Sequence, residues 1–200
     1  MNSSLVINSI ILPEVNKREV RRYLHAENTS EINLLIGKCT EISMSAIEPR
    51  VCYSIYDIKV DKADVSADGF RFSSSDLCCC LKNCDKMVMF CATIGFGFDR
   101  LIRKYEAFDK ATAVCLHALG AERIEALCDE FCRLISEEFQ KSSCRITPRF
   151  SPGYGNLDIS TQRIIFDNLD ISKYIGVTLN DTLLMSPSKT VTAVFGIKHI

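Results

Sequence analysis

The chain has no long apolar run, no excess of charge of either sign, few histidines and no glycine-rich phosphate loop. Each of these gaps removes a class of protein. The strongly apolar stretch from Met87 to Ile94 is far short of the roughly 20 residues that a helix needs to cross a bilayer. The N-terminal stretch MNSSLVINSIILP lacks a basic start and is also too short to span, so no targeting or membrane segment is expected. A net charge of -1 creates no field that would draw the chain to nucleic acid or to a membrane surface. The short basic cluster Lys17, Arg18, Arg21 and Arg22 reads as one solvated helix face. No internal repeat or low-complexity segment is present. A dinucleotide site is excluded because no G-x-G-x-x-G follows a strand, and Gly95 and Gly97 lack the third glycine. The expectation is a cytoplasmic protein with no nucleic-acid or membrane partner.

Cysteine, by contrast, is plentiful, with 11 residues. Without a secretory signal a disulfide framework is not expected. Cys78, Cys79, Cys80 and Cys84 are tempting as a metal cluster. Their spacing matches no common zinc pattern, and His25, His117 and His199 are scattered, so no metal site is expected. The cysteines read as small buried hydrophobes, and Cys128 with Cys132, four apart on a helix, suits core packing. A redox role for Cys78 to Cys84 stays open.

The 200 residues allow one large domain or two small ones, and 47% hydrophobic residues can fill a sizeable core. Val6 to Leu12 reads as a strand ending at Pro13, followed by a basic helix from Glu14 to Leu24. Asn28 is placed to cap a second helix, with Glu31 in the capping-box position and Ile32, Leu35, Ile36 and Cys39 at helical spacing. Arg50 to Val60 reads as a strand whose apolar parity switches, which a bulge near Ile55 would explain. Asp68-Gly69 is a turn leading to a returning strand through Phe70 and Phe72. Ser74 or Ser75 caps a short helix through Leu81. Met87 to Ala92 is a buried strand, and Thr93-Ile94-Gly95 leads into a helix through Tyr105. Asp109 to Gln140 is a long helix with an interruption expected near Gly120. Thr161 to Leu169 and Ser172 to Ile175 are helical, with Gly176 as a C-cap. Thr190 to Ile197 is a final strand. Strands occur both in adjacent runs and singly, which favours α+β: a single domain over residues 1–200 with a bent, mainly antiparallel sheet flanked by helices. Residues 1–49 form its N-terminal helical part.

The stretch richest in chemistry is Arg149-Phe150-Ser151-Pro152-Gly153-Tyr154-Gly155-Asn156-Leu157-Asp158. Pro152 and Gly153 suit the central positions of a type II turn. Gly153 and Gly155 would leave backbone amides open to a ligand. Arg149 can grip a carboxylate with two parallel hydrogen bonds, and Tyr154 offers a flat face to a purine or a cation. Spacing alone favours a plain surface turn and makes the loop only a weak hint of a site.

This loop resembles the Arg-x-x-x-Gly-Tyr signature of the activation domain of cobalamin-dependent methionine synthase. The resemblance continues through Tyr174-Ile175-Gly176-Val177-Thr178-Leu179-Asn180 and Met185-Ser186-Pro187-Ser188-Lys189-Thr190-Val191-Thr192. Upstream, the helix containing AVCLHALGAERIEALCDEFC is similar to the family's long helix, whose ligand-side glutamate falls at Glu125. The segments SSSDLCCCLKNC and VMFCATIGFGFDRLI look like those of short, stand-alone members. The likeness spans about Ser74 to Ile197 and is thin before Arg50.

The resemblance implies an S-adenosylmethionine site formed by Arg149, Ser151, Pro152, Gly153, Tyr154, Gly155 and Glu125. The cobalamin itself would be supplied by the cobalamin-binding domain of methionine synthase or a related corrinoid protein. The implied activity is reductive remethylation of oxidised cobalamin, with one electron from a flavodoxin-like reductant and the methyl group from S-adenosylmethionine. Cobalt is the nucleophile there, so no catalytic acid, base or covalent residue is needed, and no independent turnover is expected. Arg149 would clamp the methionine carboxylate, Tyr154 would pack on adenine or the sulfonium, and Glu125 would face the cationic end. For Glu125 a solvated helix face beside Glu122, Asp129 and Glu130 is the alternative. Two contacts of the large synthase, an N-terminal aspartate and a tyrosine beyond the last strand, have no matching position. A docking protein for a corrinoid-carrying domain that does not bind S-adenosylmethionine is therefore a second reading. A free-standing methyltransferase is a third, and the missing glycine-rich loop argues against it.

Overall fold

The computed structural model describes residues 4–199. Strand β1 (Leu5–Ile7) is followed by an irregular run to Asn16, whose side chain caps α1 (Lys17–Leu24) by accepting from the Arg18 and Glu19 amides. Helix α2 (Ser30–Ser43) comes next. Its cap is Thr29, which accepts from the Ile32 amide at 3.3 Å. Asn28, expected in that role, instead accepts from the Asn33 side chain at 2.9 Å. The shift of one residue moves Glu31 out of the capping-box position.

Strand β2 (Arg50–Asp57) leads to a small antiparallel sheet of β3 (Lys59–Val60), β4 (Asp64–Ala67) and β5 (Phe70–Ser73). Helix α3 (Ser75–Cys80) is capped by Ser74, and β6 (Lys86–Thr93) follows. Helix α4 (Phe96–Glu106) packs beside α5 (Lys110–Gln140). Strand β7 (Cys144–Ile146) precedes the Arg149–Asp158 loop, a 3-10 turn at Ile159–Thr161, α6 (Gln162–Leu169) and α7 (Ile171–Ile175). A two-stranded ribbon, β8 (Thr178–Leu179) with β9 (Met185–Ser186), leads to β10 (Thr190–His199).

The central sheet has the order β1-β2-β6-β10-β7, and every pairing in it is antiparallel. The α+β, mainly antiparallel expectation therefore holds. The bulge expected near Ile55 is absent: β2 pairs with β6 in one unbroken register from Arg50↔Thr93 to Asp57↔Lys86. The parity switch has another cause, which is that the sheet is covered on both faces. Val51 and Tyr53 join a core with α1, α2, α4 and α5, in which Val88, Phe90 and Phe195 also sit. Cys52, Tyr56 and Ile58 belong to a second core with Phe72, Leu77, Met87 and Met89, α6 and α7. A strand buried on both sides needs no alternation, so the apolar run of β6 has the same explanation.

Helix α5 runs uninterrupted for 31 residues, roughly 46 Å. Gly120 does not break it. An added Cβ there would lie 2.5 Å from the Phe98 ring and 2.9 Å from Lys189, so the glycine is the place where α4 and the Lys189 stem approach the helix. A lone glycine costs a helix about 1 kcal/mol, little against the packing along this length. The cysteines are all free, and eight of the 11 are buried, in keeping with their use as small apolar residues. Among the described residues no group of three or more His, Cys, Asp or Glu could hold a metal ion, and no helix is long and apolar enough to cross a membrane.

Candidate functional site

The Arg149–Asp158 loop is fixed at both ends before it presents anything to solvent. Phe150 exchanges two backbone hydrogen bonds with Val194 of β10, at 2.8 and 2.9 Å. Pro152 and Leu157 are buried. Between them the Tyr154 amide donates to the Ser151 carbonyl at 3.1 Å while Gly153 sits at φ +84°, which is the expected type II turn. The amide of Gly153 is not open, however; it donates to the Leu157 carbonyl at 2.8 Å and closes the loop on itself. Tyr154 stands out with 70% of its surface exposed, its ring edge-on to Phe150 at 5.6 Å. Ser151 is half-buried, and Gly155 is exposed in the left-handed region at φ +52°.

Arg149 lies at the root of this loop against α5. Its Nη2 donates to Asp129 at 2.7 Å and to Glu125 at 3.1 Å, while its Nη1 is buried with no hydrogen-bond partner. The structure thus brings Arg149 and Glu125 into direct contact. It also adds Asp129, for which the sequence suggests only a solvated face. The i,i+4 spacing of Glu125 and Asp129 on one helix face is the available signal. Cys128 and Cys132 share the neighbourhood; burial raises both thiols, Cys132 to about 11, while the Arg149 charge works against that rise. Burial also works against the Arg149 charge, and the nearby Asp129 and Glu125 carboxylates favour it, so the guanidinium stays cationic.

Glu125 also borders a cleft of about 560 Å³ between α1 and α5, lined by Glu14, Glu19, Glu122, Asp129, Glu130 and Arg133 among others. Arg149 and the loop are not part of that lining. Glu122, expected on a solvated face, is only 5% exposed. It takes two hydrogen bonds from the buried Arg123, at 2.5 and 2.6 Å, and one from the Asn16 amide at 3.0 Å. Arg123 in turn donates to the Pro13 carbonyl at 2.6 Å and the Glu14 carbonyl at 3.2 Å. This pair holds the run between β1 and α1 against α5 and so sets one wall of the cleft. The basic cluster of α1 is mostly solvated as expected, with Arg21 reaching Asn33 at 2.8 Å.

Residues 58–199, more than half of the chain, match the vitamin B12 dependent methionine synthase activation domain. The chain belongs to that family. Among solved structures it is similar to one described as the crystal structure of the MetH reactivation domain bound to AdoHcy. The TM-score is 0.69 and the identity 14%, over 98% of this chain and 78% of the other. At that identity the likeness is one of fold. Comparison with curated proteins finds no match.

For an activation-domain site, the donor set is informative. Arg149 has one guanidinium nitrogen buried against α5 without a hydrogen-bond partner, so a carboxylate would reach that edge only if the side chain turned outward. Two carboxylates beside it suit the cationic end of an amino acid or a sulfonium. Tyr154 supplies an exposed aromatic face on a turn closed by its own hydrogen bonds. The Asp76 carboxylate lies against Gly155, where an added Cβ would come within 2.5 Å of Asp76 Oδ2. Nothing in the sequence pattern singles out Asp76 or its neighbours on α3 for this place.

Proposed function

We propose that the chain acts, as one domain over residues 1–200, as an S-adenosylmethionine-binding reactivation module for a cobalamin-dependent methionine synthase. The observation that carries this is Arg149, with one nitrogen on Glu125 and Asp129 and the other buried without a partner, at the head of the Tyr154 turn. Membership of the activation-domain family and a fold similar to a reactivation domain bound to AdoHcy support it. The methionine carboxylate takes Arg149, which turns outward from Glu125 and Asp129 to meet it. Glu125 and Asp129 face the ammonium or sulfonium, and Tyr154 packs on the purine. Cobalamin reaches the site on a partner's corrinoid-carrying domain and supplies the nucleophile. The residues here hold the methyl group in line and exclude water, so their contribution is orientation rather than acid–base chemistry.

A second reading, a docking protein that does not bind the nucleoside, is favoured by one fact: Arg149 Nη2 is already engaged by two carboxylates. Calorimetric titration with S-adenosylmethionine separates the two. Saturable binding that Arg149→Ala weakens by roughly 2–5 kcal/mol, the usual cost of stripping one member from a desolvated charge pair, supports the module. Equal affinity in the mutant removes Arg149 from the site. Co-purification with a corrinoid protein but no nucleoside binding selects the docking reading.

A further inference from the structure

The loop that presents Tyr154 is tied to α3 by a reciprocal pair of hydrogen bonds across 80 residues of sequence. The Asn156 amide donates to Asp76 Oδ2 at 3.0 Å, and the Asp76 amide donates to Asn156 Oδ1 at 3.2 Å. The same Asn156 oxygen accepts from the Ser74 hydroxyl at 2.5 Å, and its Nδ2 donates to the Ser75 hydroxyl at 2.7 Å. Ser74 is 4% exposed and also caps α3 through the Leu77 amide at 3.0 Å, so the anchor side is rigid. The loop side is shaped for this contact. Gly155 takes φ +52°, and Asp76 Oδ2 lies only 2.5 Å from where a Cβ would sit. Both polar atoms of the Asn156 side chain, and its own amide, are used within this contact, and none is needed to close the loop itself.

We infer that Asn156 and Asp76 are positioning residues that fix the pose of the Tyr154 turn for ligand binding. This rests on the S-adenosylmethionine reading above. They touch no ligand in this scheme. They remove the freedom that the turn would otherwise lose on binding, and pre-organisation of this kind raises affinity without a new contact. The tie also makes α3 part of the site's support, although it lies far upstream of the loop in sequence.

The chain contains no tryptophan, so Tyr154→Trp places a unique fluorophore at the tip of the turn. In that background, Asn156→Ala and Asp76→Ala should each lower the steady-state anisotropy of the introduced indole, with the thermal midpoint held within a few degrees. In the parent chain the same two substitutions should each weaken S-adenosylmethionine binding by roughly tenfold, the scale of one side chain's ordering cost. The double variant should be weaker than either single, because Asn156→Ala leaves the Asn156 amide on Asp76 and Asp76→Ala leaves the Asn156 side chain on α3. Unchanged anisotropy overturns the tie. Lowered anisotropy with unchanged affinity overturns the positioning role. If the parent chain binds no S-adenosylmethionine, the functional reading fails and takes the ligand half of this inference with it, while the anisotropy still decides whether the tie holds the turn.

Discussion

Arg123→Leu removes the cation from a pair that is about 5% exposed on both sides. The guanidinium makes two hydrogen bonds to Glu122 and one each to the Pro13 and Glu14 carbonyls. Pro13 and Glu14 are exposed, so their carbonyls can regain water and contribute little to the loss. Glu122 cannot: it keeps only the Asn16 amide and becomes a buried charge short of partners. Stripping one member from such a pair costs about 3–5 kcal/mol, on the order of 10 °C in midpoint for a chain of this size. Urea unfolding followed by circular dichroism reads this directly, with the slope checked for two-state behaviour. The double variant Glu122→Leu/Arg123→Leu removes the buried charge as well and should lose less than Arg123→Leu alone. A single variant costing under about 1 kcal/mol, or a double equal to the sum of the singles, would refute the reasoning.

Three further outcomes are expected. Gly155→Ala should strain the backbone at φ +52° and collide with Asp76, weakening S-adenosylmethionine binding far more than it lowers the unfolding midpoint; calorimetry beside thermal melts checks this. Asp109 accepts from the Thr112 hydroxyl and amide and from Lys38, and these hold its carboxyl below the ordinary value of 3.8, so its stabilising contribution is present above that pH and is lost as pH falls through the lower folded value; Asp109→Asn should flatten the acid limb of the stability profile, and carboxyl NMR titration gives the shift. Cys79, the exposed cysteine, should react first with a thiol reagent at neutral pH, while Cys91, whose thiol full burial pushes well up, should stay silent until the chain unfolds, as mass spectrometry of the labelled protein would show.

Local signals make much of the fold legible. The apolar run from Met87 marks a buried strand, Ser74 a cap, and Pro152-Gly153 a type II turn, because each depends on neighbours in sequence. The short strands β7, β8 and β9 carry two or three residues each and leave no periodic trace. The parity switch in β2 suggests a bulge that is not there, because a sequence does not reveal that a second layer of β4, β5, α6 and α7 covers the other face. At the site, Arg149 stands out only through the family resemblance. Its contacts with Glu125 and Asp129 join a loop to a helix 24 and 20 residues away, and the Asn156–Asp76 tie spans 80. Such contacts are fixed by tertiary packing and have no local pattern. Glu122 shows the same limit in reverse, since beside other acidic residues it looks solvated until Arg123 and the Asn16 amide are placed around it.

The most direct test of the account uses a cobalamin-dependent methionine synthase that lacks its own activation domain, with its cobalamin in the cob(II)alamin state. The synthase is supplied with a one-electron reductant and S-adenosylmethionine, and its absorption spectrum is followed with and without this chain. The account expects the methylcobalamin spectrum to return only when the chain is present, and to be lost with Arg149→Ala. A spectrum that recovers equally without the chain, or does not recover with it while the chain is shown to bind the synthase, would contradict a reactivation role.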